Sequence, residues 1–236
     1  GPVHVAGARR GDFLQVDILA ATPRQDWGFC EILPLKGILP EEFTDYQQIT
    51  IDIDRDGGMA MLPWGQSFAL DPFFGIMAVA PPPEWGRLGS PVPWAFGGNI
   101  DNRALTAGTT LYLPVFNDGA LFSAGDGHGR QGDGEVCIDA LETALQGRFR
   151  LTVRQDIDEP GPFAESDTHL ISMGLHPSLD RAAEQAVRQM VRLFTARGQL
   201  DRSQAYMMCS MIGDLRITQV VDGNKGVHML YPKDML

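Results

Sequence analysis

Long apolar runs, clustered basic charge and paired cysteines are all missing from this chain. No stretch of about 18 apolar residues interrupts its 236 residues, so no helical membrane span is encoded. Net charge is −11 and the 19 Lys and Arg residues are scattered. A nucleic-acid binder or a protein held on an anionic membrane needs a basic patch, so neither partner is expected. Cysteine is limited to Cys30, Cys137 and Cys209, an odd number spaced far apart. That fits a reducing compartment better than a disulfide framework, and the expected location is cytoplasmic. No charged segment followed by an apolar one opens the chain, so the pattern of a secretory signal is missing. Gly1-Pro2 reads either as a protease-tag scar or as native sequence, and the abrupt entry into an extended Pro2–Ala6 segment implies further chain upstream. Internal repeats and low-complexity tracts are also missing.

What is present is a globular composition, 44% apolar and 21% charged, long enough to bury a substantial core. Up to about residue 147, glycine and proline are frequent, no long helical period appears, and short β-type runs recur between turn signals. Strands are expected at Asp12 to Leu19, Thr109 to Phe116, Gly119 to Ser123 and Arg148 to Arg154. In the last of these, Phe149, Leu151 and Val153 alternate with polar residues, as in a half-exposed strand. Pro81, Pro82, Pro83, Pro91 and Pro93 make an extended connection that fits neither a sheet nor a helix and is expected to cross the surface towards a site.

After Pro177 the pattern changes. Leu179, Ala182, Ala183, Ala186, Val187, Met190, Val191 and Phe194 repeat at helical spacing between a Ser178 cap and a Gly198 stop. A second helix is expected from the Asp201/Gln204 capping pair, with Ala205, Met208, Cys209 and Ile212 on one face. Leu215 to Val221 then reads as a strand turning at Asp222-Gly223-Asn224 into Val227 to Tyr231. The fold class is mainly β, a barrel or sandwich with a late α-helical pair on one side. The expected organisation is a β-rich domain over 1–155 and an α+β part over 156–236, with helices at about 178–197 and 202–212.

Chemistry concentrates between Gly97 and Glu135, above all in Gly125–Glu135, where five glycines and three carboxylates fall within eleven residues. Glycine at that density permits tight, positive-φ folding, which would converge Asp126, His128, Asp133 and Glu135. Such a group either binds a divalent cation or exchanges protons. The alternative is a hairpin loop of solvated Asp-Gly turns. Gly127, Gly129 and Gly132 match a dinucleotide-binding spacing, but neighbouring Asp126, Asp133 and Glu135 would repel a pyrophosphate. Arg130 sits where an EF-hand calcium loop needs an oxygen ligand, so that reading fails as well.

Several ordered blocks carry a resemblance. Phe96-Gly-Gly-Asn-Ile-Asp101, Leu105 to Phe116, Gly119 to Ser123, Gly125-Asp-Gly-His128, Gln131-Gly-Asp-Gly-Glu-Val-Cys137, Thr218 to Gly223 and Lys225-Gly-Val-His228 resemble the acetamidase/formamidase family. So do Gly1-Pro-Val, Gly7-Ala8 and Gly11-Asp12, so the resemblance spans nearly the whole chain. It implies a β-rich fold with a jelly-roll-like portion, hydrolysis of formamide or acetamide, a homodimer or larger homo-oligomer, and divalent metal, zinc or calcium, near the acidic segments. Three departures stand out. Relatives carry an additional N-terminal β segment, Ile138-Asp139 stands where Gly-Thr is usual, and Arg9-Arg10 replaces an acidic residue and proline.

On this basis Asp101, Asp126, His128 and Glu135 are the expected metal ligands. Glu135 is the expected base, His128 or Glu135 the acid that assists the leaving group, and Asn99 reads equally as the carboxamide that orients substrate or stabilises the oxyanion and as a structural turn residue. Asp133 reads as a turn residue. A rival mechanism uses Cys137 as nucleophile with Glu135 and Lys225; against it, Val136 and Cys137 read as the start of a buried strand, where a thiol is inert. Lys225 and His228 read equally as pocket or structural residues. Trp64, Trp85, Trp94, Phe73, Phe74 and Phe96 would serve as cavity wall or core. A metal-stabilised β domain without turnover is the non-enzymatic alternative.

Overall fold

Alternation decides the first strand. Leu14, Val16 and Ile18 are buried while Gln15 and Asp17 are only half-buried, so β1 (Phe13–Pro23) presents one face to a core and the other to polar neighbours. The computed structural model describes residues 2–198 and 200–235, so Gly1, which both the tag-scar reading and the resemblance include, lies outside the described residues. Short strands follow: β2 (Trp27–Ile32), β3 (Gln47–Asp54), β4 (Met59–Met61), β5 (Ser67–Ala69), β6 (Phe73–Ala78), β7 (Gly97–Asn99) and β8 (Thr110–Pro114). Beyond them lie β9 (Ser123–Arg130), β10 (Leu141–Glu142), β11 (Leu145–Arg154), β12 (Phe163–Glu165) and β13 (His169–His176). Helices α1 (Leu179–Ala196) and α2 (Arg202–Met211) precede β14 (Asp214–Gln219) and β15 (Lys225–Pro232).

These strands form two sheets. A seven-stranded sheet runs β11-β1-β8-β12-β13-β15-β14, and an eight-stranded sheet runs β5-β4-β3-β2-β10-β9-β6-β7. The seven-stranded sheet draws on chain from both sides of residue 155. A common core holds Leu14, Val16 and Ile18 of β1, Leu111 and Leu113 of β8, and Phe74 and Met77 of β6. Each fully buried Leu or Ile there contributes on the order of 2 kcal/mol. A second cluster seats Met190, Val191, Leu193 and Phe194 of α1 and Cys209 of α2 against Phe163, Leu170, Met229 and Tyr231. Among the described residues, no helix is long and apolar enough to cross a membrane.

The expected mainly β fold with two late helices is the observed one. The α1 cap is Ser178, whose hydroxyl accepts from the Arg181 amide, and Gly198 follows at φ 69°. The α2 start is a full capping box between Asp201 and Gln204. Two local expectations are corrected. Gly119 to Ser123 is not a strand: Ala120 and Leu121 take φ of 55° and 58°, which breaks extended pairing, and only Phe122 bridges, to Val3, before β9 begins. Val136 and Cys137 do not begin a buried strand either; they form a turn, and Val136 is 55% exposed. The proline-rich connection contains a short 3-10 turn at Pro83–Trp85, which Pro83 can enter because the first helical position needs no N–H. It then approaches the acidic residues, with the Ser90 carbonyl accepting from the Asn99 amide and the Pro93 carbonyl from the Asn224 side chain.

Candidate metal centre

The glycine-rich block is mostly strand. Gly125 to Arg130 lies within β9, and its alternation of glycine with functional residues is the strand's own period of two. Asp126 and His128 reach a common point, while the intervening glycines let β10 and its neighbours pack against the backbone. A Cβ on Gly127 would strike the Thr143 carbonyl, and one on Gly129 would press on the Leu141 side chain. Behind the site lies Gly75 of β6, where a Cβ would collide with the carboxylates of Asp101 and Asp126. Three of the acidic residues, Asp101, Asp126 and Glu135, adopt positive φ of 48°, 57° and 46°. Non-glycine residues held in this region carry strain that clusters at functional sites.

His128 is the hub. Its Nε2 lies 3.2 Å from Glu142 Oε1, 3.3 Å from Asp126 Oδ2, 3.8 Å from Asp101 Oδ1 and 3.9 Å from Glu135 Oε1. The ring is buried and stands edge-on to Phe73, with centroids 5.0 Å apart. Gln131 sets its tautomer. The Gln131 amide nitrogen donates to the carbonyls of Asp101 (2.7 Å) and Thr218 (3.4 Å), so its oxygen accepts from His128 Nδ1 at 2.9 Å. A neutral His128 therefore turns the Nε2 lone pair into the carboxylates, as a metal-binding imidazole does.

The second sheet completes the cluster through Asp222, in the turn between β14 and β15. Buried Gln219 shapes that turn, its amide nitrogen donating to the Asn224 carbonyl at 2.7 Å and its oxygen accepting from the amides of Val221 and Asp222. The Gly134 amide donates to the Thr218 carbonyl and the Gly134 carbonyl accepts from Val220, which ties the Glu135 segment to β14.

So many acids in a buried space cannot all stay ionised without compensating charge. Burial and the neighbouring Glu135 push Asp101 well above the usual carboxylate range. Burial likewise pushes Glu135 up to about 9 and Glu142 to about 8, and Asp222 to about 6. Asp126 is the exception: burial opposes its charge, but the hydrogen bond and charge of His128 hold it below the usual value. Burial also opposes a charged imidazole, yet the hydrogen bond to Asp126 and the charges of Glu142, Asp126 and Glu135 raise His128 to about 9. In the metal-free protein, protons supply the missing positive charge.

A divalent cation suits the same place. Among the described residues, Asp101 Oδ1, Glu135 Oε2 and Asp222 Oδ2 are buried without a hydrogen-bond partner, as is Asn99 Oδ1. Buried oxygens of this kind are costly unless a cation or donor meets them. Three overlapping trios, Asp101–Asp126–His128, His128–Glu135–Glu142 and Asp101–Glu135–Asp222, each place three ligand atoms within 4.8 Å of one another.

All four residues expected as ligands, Asp101, Asp126, His128 and Glu135, meet here. Asn99 lies beside them, with its Nδ2 donating to Asp101. Asp133 is exposed in the turn before Glu135. Sequence reasoning missed Glu142, which carries no local pattern, and Asp222, whose Asp-Gly-Asn setting reads as a plain turn. His228 is structural: it is buried, with its Nδ1 2.7 Å from the Thr218 hydroxyl. Of the aromatics, Phe73 touches the site, Phe74 and Phe96 are core, Trp85 packs on Trp94 and Phe96, and Trp64 is exposed. Cys137 is half-buried 3.7 Å from Cys30, and a hydrogen bond from Cys30 lowers its thiol pKa to about 6. Arg9 and Arg10 pair at the surface with Asp118 and Glu84, at 3.0 and 3.3 Å.

Known proteins share this arrangement of sheets. The chain is 33% identical to an acetamidase from Bacillus halodurans of known crystal structure, with a TM-score of 0.93 over 100% of this chain and 78% of that one. A formamidase of Methylophilus methylotrophus is 27% identical over 249 residues, covering 78% of this chain and 60% of the relative. An acetamidase of Mycolicibacterium smegmatis is 28% identical over 194 residues, covering 58% of this chain and 48% of the relative. The chain thus spans between about half and three fifths of the length of these two curated relatives. The sequence profile described as the Acetamidase/Formamidase family matches residues 1–87 and 91–162, and this chain belongs to that family.

Proposed function

We propose that this chain hydrolyses a small aliphatic amide, formamide or acetamide, to the carboxylate and ammonia at the His128 cluster. The observation that carries the reading is the set of buried carboxylates converging on one imidazole with oxygens left unpartnered. Asp101, Asp126, His128, Glu135, Glu142 and Asp222 would hold a divalent cation. Such a cation supplies Lewis-acid charge that polarises an amide carbonyl. The single imidazole favours zinc, and the oxygen-rich remainder also serves calcium.

The chain's own groups perform the proton work. Burial alone keeps Glu135 protonated, but the charge of a bound cation would hold it ionised, and as a carboxylate it is suited to take a proton from the attacking water and return it to the departing nitrogen. Asn99 is anchored through Nδ2 to Asp101 and keeps Oδ1 free to accept from the substrate's N–H. With a cation bound, Gln131 would hold the one remaining His128 proton on Nδ1 and leave Nε2 to face the carboxylates. Water adds to the carbonyl, the C–N bond breaks, and the nitrogen leaves with the proton carried by Glu135. The lowered thiol pKa and partial exposure of Cys137 favour one rival, nucleophilic attack by that thiol.

Ammonia release from formamide, acetamide and propionamide decides between them, measured before and after chelation and with zinc or calcium restored. Glu135→Gln is expected to lower turnover by about 10²–10⁴-fold, the range for a lost general base, while Cys137→Ala keeps most of it. Loss in Cys137→Ala with retention in Glu135→Gln would replace this mechanism with the thiol one.

A further inference from the structure

Two cysteines that are distant in sequence meet beside the acidic cluster. Cys30 lies on β2, Cys137 in the turn two residues beyond Glu135, and their Sγ atoms are 3.7 Å apart. Both are partly exposed, whereas Cys209 is buried against α1. The Asp139 carbonyl oxygen lies 3.9 Å from the Cys30 sulfur and 3.5 Å from the Cys137 sulfur, so the two sulfurs converge on one backbone oxygen. A disulfide needs the sulfurs at about 2.05 Å, so a closing movement of roughly 1.7 Å would join them.

We propose that Cys30 and Cys137 form a redox-modification site, oxidised reversibly to a disulfide by a low-molecular-weight disulfide of the glutathione type, and that the bond displaces Glu135. The exchange balances in two steps. The thiolate of one cysteine attacks a sulfur of the oxidant, the oxidant's S–S bond breaks, and one oxidant thiolate leaves behind a mixed disulfide. The second cysteine gives its proton to solvent and attacks the protein sulfur of that mixed disulfide, releasing the second oxidant thiolate. The protein pair loses two electrons and two protons, and the oxidant is reduced to two thiols.

The turn is built to transmit the change. Glu135 and Ile138 flank Cys137 with positive φ of 46° and 96°, and the Ile138 amide donates to the Glu135 carbonyl at 3.2 Å. The Val136 carbonyl accepts from the Ile38 amide at 2.9 Å, and the Gly37 backbone lies against Cys137, so the turn is already docked on the segment that follows β2. Pulling Cys137 towards β2 therefore moves the chain that carries Glu135. The functional consequence, loss of amide hydrolysis on oxidation, rests on the proposed amidase reading.

The test equilibrates the 236-residue chain in glutathione buffers of graded potential, quenches free thiols and maps peptides without reduction. A Cys30–Cys137 cross-linked peptide is expected, reversed by dithiothreitol, changing tenfold in ratio for every roughly 30 mV as a two-electron couple does, while Cys209 stays free. Persisting free thiols, stable glutathione adducts or pairing with Cys209 would overturn the site whatever the protein hydrolyses. In parallel, ammonia release from the oxidised protein should fall at least about tenfold and recover on reduction. A Cys30→Ser/Cys137→Ser variant should be active and insensitive to the buffer. A cross-link that forms with unchanged turnover would overturn the coupling to Glu135. Absence of turnover in the fully reduced protein would refute the amidase reading, and with it the coupling to hydrolysis, leaving the peptide map to judge the disulfide.

Discussion

Gly75 shows how little room the acidic residues leave. Its missing side chain is what allows Asp101, Asp126 and His128 to face one another across β6, since a Cβ would fall on both carboxylates and press on the imidazole. Gly75→Ala should therefore bind less divalent metal and release ammonia more slowly, with a folding cost of about 1–3 kcal/mol from overpacking. Metal content by mass spectrometry, set beside the thermal midpoint, separates a spoiled site from an unfolded chain. A different buried histidine makes a pH prediction. Burial, with help from Arg216 and Arg103, lowers His228 from 6.5 to about 3. Between those values the unfolded chain binds the proton and the folded chain does not, so stability falls as pH drops below about 6.5, by about 2 kcal/mol at pH 5. His228→Gln should have a flatter dependence of thermal midpoint on pH than the parent between pH 6.5 and 4.5, and parallel curves would refute the assignment. Residue chemistry was also the most legible layer of the site. Asp101, Asp126, His128 and Glu135 stand in glycine-rich blocks that announce tight backbone. Glu142 sits on a two-residue strand and Asp222 in a turn 80 residues further on, so only three-dimensional pairing reveals them.

At the level of elements, amphipathic helices and alternating strands were readable because one periodic face is buried along their length. The helix α1 shows this from Leu179 to Phe194, and β11 shows it from Phe149 to Val153. The two edges of the eight-stranded sheet were not readable, since β4, β5 and β7 are three residues each and carry no period. The block from Gly125 to Arg130 was misread for another reason: its glycines suggested turns, yet they alternate strictly with Asp126, His128 and Arg130, which is a strand whose empty positions at Gly127 and Gly129 face a close neighbour. The same logic governs Gly174 on β13. There α1 comes so near that a Cβ would collide with the Ala182 carbonyl, and the Ser172 hydroxyl donates to the Ala186 carbonyl at 2.7 Å alongside. Since backbone cannot swing aside as a side chain can, Gly174→Ala must push the helix off the sheet. A loss of about 3 kcal/mol is expected, visible as a lower thermal midpoint, and an unchanged midpoint would show that α1 is free to shift.

Across the whole molecule, the acidic cluster is where the two sheets meet through charge instead of through apolar packing. Asp126, His128 and Glu142 belong to the eight-stranded sheet, and Asp222 comes from the hairpin that edges the seven-stranded one. Gly134 and Gln219 bridge the same gap by backbone, and Asn224 holds the hairpin to Pro93. A cation held between carboxylates of both sheets would clamp them, and any ligand that binds only the folded state stabilises it by mass action, about 2.7 kcal/mol at a hundredfold excess over Kd. Chelation should therefore lower the thermal midpoint and speed amide hydrogen exchange in two places at once, 131–136 and 219–226. Exchange in α1 should change less, because its contacts lie on the far face of the seven-stranded sheet. Asp222→Asn should weaken the response of both segments, since it removes the carboxylate by which the hairpin joins the cluster. If chelation quickened exchange only around Glu135 and left the hairpin as it was, the cation would belong to one sheet alone, and the clamp would be no part of this fold.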